Sequence, residues 1–374
     1  DFFTGRAEPD LIGLLDLVAL GTVADVAALH GLNRAFVAQG LKVMARRANI
    51  GMAALIDSSR LTRSPQCSDL GFALGPRINA AGRLSNAKLA YRLLRTMDPT
   101  EAYTLATEVE SLNNKRRTLT DEAQLVADEK INGNANAPML FIRSPNLQPG
   151  IVGLVAGKLT ERYYRPAVVV EEGAEESRGS ARSIAEFDIS RALDAVSSYL
   201  VRHGGHSRAA GFTIKTAHLA ALEIDLVALA QEELGERDGL RPTLWIDAET
   251  TLDELTWGAH GQLARLEPTG YDNPTPRLLC RNVRIRDLRT VGGGKHLRMI
   301  VDWDAQSTVM DAVAFQQGAR ASELQVGDRV DLVFQLEANE WQGRQSLQLN
   351  VQDMRRANSD SPIEVATPPK DTED

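Results

Sequence analysis

HGGHSRAAGFTI, residues 203–214, sets two adjacent glycines between histidines, adds an arginine, and runs into the strand-like Phe212, Thr213 and Ile214. Glycine permits φ > 0 and close approach of the backbone to a ligand. The segment therefore predicts a turn at Gly204 and Gly205 whose N–H groups face an anion, with His206 and Arg208 as side-chain donors. A glycine pair alone is more often a plain turn, and a lone histidine more often a structural residue, so the reading rests on two further segments.

The first is RGSARSI, Arg178 to Ile184. Ser180, Arg182 and Ser183 lie in a polar, extended stretch, and strand alternation sends Ser180 and Arg182 to one face. A hydroxyl and a planar guanidinium there suit a phosphodiester. The second is GPRINAAGRLSNAKLA, Gly75 to Ala90, where Arg77, Asn79 and Arg83 gather around Gly82 just before an apolar helical pattern. Each segment alone is compatible with capping or solvation; three together point to a polyanion.

These segments resemble the RecJ family of single-strand-specific 5′ to 3′ DNA exonucleases, among the DHH phosphoesterases. ALGTVADV, Ala19 to Val26, matches the family's last metal-binding motif, GPRINAAGR its substrate-side motif, and GSARS with GGHSRAAG its DHH-associated domain. The resemblance implies an α/β chain of four parts and a tail: the C-terminal part of a DHH domain over 1–98, a connecting helix over 99–133, a DHH-associated α/β domain over 134–240, an oligonucleotide-binding (OB) β-barrel over 241–356, and a disordered tail over 357–374. It also implies phosphodiester hydrolysis by two Mn²⁺ or Mg²⁺ ions, with Asp25 as one metal ligand, in DNA repair and recombination. The implied DNA contacts are Arg77, Asn79, Arg83, Ser180, Arg182, Ser183, Gly204, Gly205, His206 and Arg208. Single-stranded DNA is the implied partner, with a helicase or single-strand-binding protein beside it.

Two-metal hydrolysis needs several carboxylates and imidazoles holding the ions about 3.5–4 Å apart. The chain has no Asp-His-His triplet and starts with Asp1, so it reads as the C-terminal portion of a longer protein, inactive as it stands. Two other functions compete: a non-catalytic single-strand-binding module, and a DHH phosphodiesterase for short oligonucleotides. A barrel argues against the latter, because a two-nucleotide substrate needs no second platform. Gln148 stands where the family commonly has a histidine.

Composition sets the outer bounds. At 374 residues and 43% hydrophobic, the chain can bury more than one core. It lacks a run of about 18 apolar residues, so no membrane span is expected. Two distant cysteines, Cys67 and Cys280, argue against a disulfide framework or cysteine zinc site; a monomer in the cytoplasm is expected. Net charge is −8, the wrong sign for a generic nucleic-acid binder. Residues 216–256 hold ten acids and two bases, whereas residues 277–298 hold seven bases against Asp287, a local positive stripe.

Periodicity fills in the elements. Pro9, Asp10 and the spacing Leu11, Leu14, Leu15, Val18 predict a helix stopping at Gly21 and delivering the loop that carries Asp25. A second helix is predicted from Asn33 to Arg47, and a single long one from Pro99 to Ile131 whose basic middle, Asn113, Lys115, Arg116 and Arg117, reads as a solvated face, although the RecJ resemblance implies a linker that borders the DNA groove. Strands and helices then alternate from Asn136, including a helix through Leu193 and Leu200 and a strand that carries the GGH motif. Gly150 and Gly153 open a helix able to admit a phosphate at its N-terminus. Five short strands after Pro242 suggest the barrel. Trp303, Phe315 and Trp341 are there, residues that in small barrels are more often core than base platforms.

Overall fold

The computed structural model describes residues 10–131, 136–235, 240–304 and 308–357. Pro9 and the tail from Asn358 lie outside the described residues, as does the side chain of Trp341. The chain divides into two compact units: residues 1–24, 42–65 and 69–242 form the first, and residues 25–41, 66–68 and 243–374 the second.

The first half of the chain is helical: α1 (Leu15–Ala24), α2 (Gly31–Ala45), α3 (Ile50–Ser58), the short α4 (Cys67–Asp69) running into a π-helical turn (Leu70–Leu74), α5 (Gly75–Leu84) and α6 (Lys88–Arg95). α1 does not stop at Gly21. An interior glycine weakens a helix by about 1 kcal/mol without ending it, and here Gly21 faces open space while Ala19 and Leu20 are buried. The helix gives out at Ala24, and the left-handed residue that follows is Val26, at φ 58°. GPRINAAGR is itself helical and forms most of α5.

The 33-residue helix α7 (Pro99–Ile131) is the spine of the first unit. Its buried stripe, Ala102, Leu105, Ala106 and Val109 and then Ala123, Ala127 and Ile131, follows the helical period and serves two cores in succession. The second of these belongs to a five-stranded sheet of order β1-β2-β3-β5-β4. β1 (Leu140–Ser144) pairs parallel with β2 (Ala167–Glu171) across α8 (Pro149–Tyr163); β3 (Glu176–Arg182), β5 (Ala209–Lys215) and β4 (Leu200–His206) continue antiparallel.

Helices cover both faces, which explains the unbroken apolar run AVVV in β2. Ala167 and Val169 pack under α8 with Ile151, Val152 and Val155. Val168 and Val170 pack, with Ala181, Ala210 and Phe212, against α9 (Ile189–Ala195) and α10 (Leu219–Leu234). α9 is shorter than its apolar spacing predicts: it ends at Ala195, and Leu200 opens β4 after a 3₁₀ turn.

In the second unit, β6 (Ala248–Glu249) flanks β7 (Leu278–Val291), β8 (His296–Asp302), β9 (Met310–Ala314), β10 (Arg329–Trp341) and β11 (Arg344–Arg356). Strand order is β10-β11-β9-β8-β7-β6, and an added β10–β7 pairing closes a five-stranded ring. Closure removes the open sheet edges. Its interior is filled by Cys280, Val283, Ile285, Leu297, Met299 and Phe334, among others.

Both cysteines are free and buried, and burial pushes the thiols up, to about 11 for Cys67 and about 12 for Cys280. Because the thiolate is the reactive species, neither should react with Ellman's reagent at pH 8 until denaturant is added. Immediate reaction of two thiols in buffer would contradict this packing.

Candidate nucleic-acid interface

Three rows cross β3, β5 and β4 on the face that carries α8. Cross-strand partners share a face; the register therefore groups Arg182, Ala209 and His206 in one row, Ser180, Gly211 and Gly204 in the next, and Arg178, Thr213 and Arg202 in the third. The middle row has almost no side chains, and the rows on either side supply the cations. Where α8 no longer covers the sheet, this makes an open depression of about 330 Å³ lined by Pro149, Val152, Arg178, Ser180, Arg202 and Gly211, among others. Arg202 Nε donates to Thr213 Oγ1 at 3.1 Å, which lays its guanidinium across the sheet.

The glycine pair lies in the expected GGH strand, and the chain turns after it rather than at the glycines. Gly204 and Gly205 belong to β4, and the turn is Ser207–Arg208. Gly205 has φ 154°, and a Cβ there would lie 2.4 Å from the Ala209 carbonyl oxygen, so close strand approach is what demands glycine. The turn is pinned from outside: its Ser207 and Arg208 carbonyls accept from Ile189 N (3.1 Å) and Ser183 N (3.0 Å).

At the edge of this surface the first turn of α8 sits between two arginines. A Cβ on Gly150 would lie 2.4 Å from the Arg83 carbonyl oxygen, and one on Gly153 3.0 Å from Ser180 Oγ and 3.3 Å from Arg182 Nη2. These glycines let α5, α8 and β3 meet at backbone distance. Arg182 Nη1 donates to Ser180 Oγ (3.1 Å) and to the Ala181 carbonyl (2.8 Å), and Arg83 Nη1 reaches the Gly150 carbonyl at 3.5 Å. Burial, and then the charge of Arg83, push the pKa of Arg182 down. The positive end of the α8 dipole adds to this field. Two guanidiniums, a hydroxyl and a helix N-terminus therefore converge, with no carboxylate among them.

The other expected contacts are distributed unevenly. His206 shares the Arg182 row but stands two strands away, about 10 Å at ordinary strand spacing. Arg208 is exposed at the turn, and Asn79 is exposed one helical turn before Arg83. Arg77 and Ser183 are committed inside the protein. Arg77 Nε lies 2.5 Å from Glu110 Oε2, and Arg77 Nη1 donates to the Ala73 carbonyl at 2.8 Å; Ser183 is buried and its Oγ donates to the Phe187 carbonyl at 2.7 Å. Six residues is about one and two-thirds helical turns, which is why Arg77 and Arg83 leave α5 on different sides. Sequence reasoning passed over Arg202 and Gly211; the period-two alternation of β4 and β5 against GSARS was the signal for both.

In the second unit the positive stripe is largely answered in place. Arg284 forms a two-pronged pair with the buried Asp302 (2.9 Å each), whose carboxyl that arginine holds below its usual range; Arg286 approaches Asp302 at 3.4 Å. Arg281 pairs with Glu249 (3.0 Å) and Arg298 with Asp311 (2.8 Å). Trp303 packs on the barrel core and donates from Nε1 to the Arg281 carbonyl (2.9 Å), whereas Phe315 is half exposed, edge-on to His296.

Asp25 is exposed just after α1. Among the described residues no group of three or more His, Cys, Asp and Glu side chains could hold a metal ion. The residues described here therefore do not by themselves fit a two-metal centre.

Residues 136–236 match the DHHA1 domain family and residues 246–353 the RecJ OB domain family. The single-stranded-DNA-specific exonuclease RecJ of Bacillus subtilis is 34% identical over 91% of this chain and 44% of its own length; that of Haemophilus influenzae is 32% identical over 93% and 63%. The crystal structure of RecJ in complex with Mn²⁺ from Thermus thermophilus superposes with a TM-score of 0.80 at 30% identity, covering 94% of this chain and 51% of that one. A DHHA1 domain joined to an OB barrel is the class that fold and matches define. Within that class the chain belongs to the RecJ family, and it spans about half to two thirds of the length of the relatives it matches.

The contact of α8 with α5 can be tested directly. Gly150→Ala places a methyl against a carbonyl oxygen that cannot move aside, so it should destabilise the first unit by about 1–3 kcal/mol, read as a lower urea midpoint. An unchanged midpoint would mean that the two helices are not pressed together.

Proposed function

We propose that this chain is the strand-gripping part of a metal-dependent, single-strand-specific 5′ to 3′ DNA exonuclease. The observation that supports it most is the side-chain-bare row Ser180–Gly211–Gly204 running between two cationic rows and ending at Arg83, Arg182 and the α8 N-terminus. A phosphodiester backbone is a repeating anion that needs donors at intervals and room between them. In this reading Arg83, Ser180 and Arg182 hold one phosphate, while Gly204, Gly205, His206 and Arg208, with Asn79 on the α5 side, line the path beyond. Arg77 and Ser183 become positioning residues, since their polar atoms are already engaged.

The division at 1–98, 99–133, 134–240, 241–356 and 357–374 is part of the same proposal, as is the barrel's role in holding more distant nucleotides. So is Asp25 as one ligand of a Mn²⁺ or Mg²⁺ pair, the kind of ions the solved RecJ structures contain. Such a pair would activate water and stabilise the leaving oxygen, with its remaining ligands outside the residues described. The lack of any three-ligand cluster among those residues favours the chain alone as a binding module. No helix among them is long and apolar enough to cross a membrane. A monomer in the cytoplasm, working beside a helicase or single-strand-binding protein, completes the reading.

Fluorescence anisotropy of a labelled oligo(dT) tests it. The chain should bind with affinity that falls as salt rises, and Arg182→Ala should weaken binding about tenfold, the worth of one charged hydrogen-bonding contact, with an unchanged circular dichroism spectrum. Equal affinity of Arg182→Ala and the parent chain would overturn the proposal.

A further inference from the structure

From Leu70 to Met97 the chain has no aspartate or glutamate and five bases, Arg77, Arg83, Lys88, Arg92 and Arg95, in a protein whose overall charge is −8. Two of the five are answered from α7: Arg77 by Glu110 at 2.5 Å and Arg92 by Glu101 at 2.6 Å. Asp98, the next acid along the chain, accepts from Thr100 N at 2.9 Å. Among the described residues Arg83, Lys88 and Arg95 have no carboxylate partner.

Lys88, Tyr91 and Arg95 recur at helical spacing and share the exposed face of α6. The opposite face is fixed: Ala90 and Leu93 are buried, and a Cβ on Gly51 of α3 would lie 1.6 Å from the Leu93 carbonyl oxygen. Tyr91 is 60% exposed, and the Arg95 guanidinium stands 6.0 Å from the centre of its ring. This face adjoins the proposed grip. α5 ends one residue past Arg83, and α6 begins at Lys88. The turn between them is compact, since Lys88 N donates to Asn86 Oδ1 at 2.9 Å and a Cβ on Gly82 would lie 3.7 Å from Ala87 Cβ.

We propose that the exposed face of α6 is a further contact for the bound single strand, with Tyr91 stacking on a base, Arg95 bracing the ring and Lys88 meeting a phosphate. A single strand offers phosphates and π-faces in alternation, which matches cations set around an aromatic ring. A purely acidic partner would use the cations and leave the ring idle. The proposal rests on the strand-gripping reading above and carries the track past Arg83, onto a helix that lies outside both matched domains.

Tyr91→Ala removes an exposed ring, so it should melt close to the parent temperature. Its affinity for oligo(dT) should nevertheless fall about fivefold or more, the loss of one stacked base, and Tyr91→Phe, which keeps the ring, should recover it. Lys88→Gln should lower the slope of log affinity against log salt by about 0.7, one single-strand phosphate contact. Unchanged affinity in Tyr91→Ala would overturn the contact, as would a Tyr91→Phe as weak as Tyr91→Ala or an unchanged slope in Lys88→Gln. If Arg182→Ala still weakens binding in that case, the strand-gripping reading stands without α6; if no substitution alters binding, both fall together.

Discussion

The packing of the first turn of α8 between α5 and β3 is the contact on which the proposed site depends. Two residues without side chains, Gly150 and Gly153, let the helix N-terminus approach the Arg83 backbone on one side and the Ser180 and Arg182 side chains on the other. Three positive features then lie close together: a helix N-terminus, a half-buried guanidinium and an exposed one. In the proposed reading, an anion bound there would offset the repulsion among these groups. Burial first, and then the charge of Arg83, pushes the pKa of Arg182 down.

The sheet then decides where an anion can continue. A strand's alternation puts Ser180 and Arg182 on one face, and the antiparallel register brings Gly211 and Gly204 beside Ser180. Glycines at those two positions keep the surface open. The cations on either side come from rows offset by two residues along each strand, so the charged edges run across the strands.

Much of this was legible in the sequence, for physical reasons that differ by element. The long helix Pro99–Ile131 was readable because its apolar spacing holds for 33 residues, and the barrel because its strands alternate and are separated by glycine turns. Ser180 and Arg182 were readable as a pair because period two needs no tertiary knowledge. The strand that carries the glycine pair was readable, but the place of the turn, two residues further on, was not, since sequence shows that glycine is needed without showing whether a turn or close approach needs it. Arg77 looked like Arg83 until Glu110, thirty-three residues away, claimed it. The half-burial of Arg116 was not legible, because burial at one position of a basic run has no local signature. The stripe after Arg277 looked like a free positive surface until Glu249, Asp302 and Asp311 were brought opposite it by strand pairing.

Those pairings shift the weight of the account from the barrel to the sheet: four of the seven bases between Arg277 and Arg298 pair with carboxylates, whereas the hydrogen bonds of Arg83 and Arg182 go to carbonyl and hydroxyl oxygens. Hydrogen–deuterium exchange of the chain with and without oligo(dT) tests that claim most directly. Protection on binding should appear in peptides covering residues 75–84, 148–154, 178–182 and 202–211. Protection confined to residues 278–356, with those four segments unchanged, would contradict it.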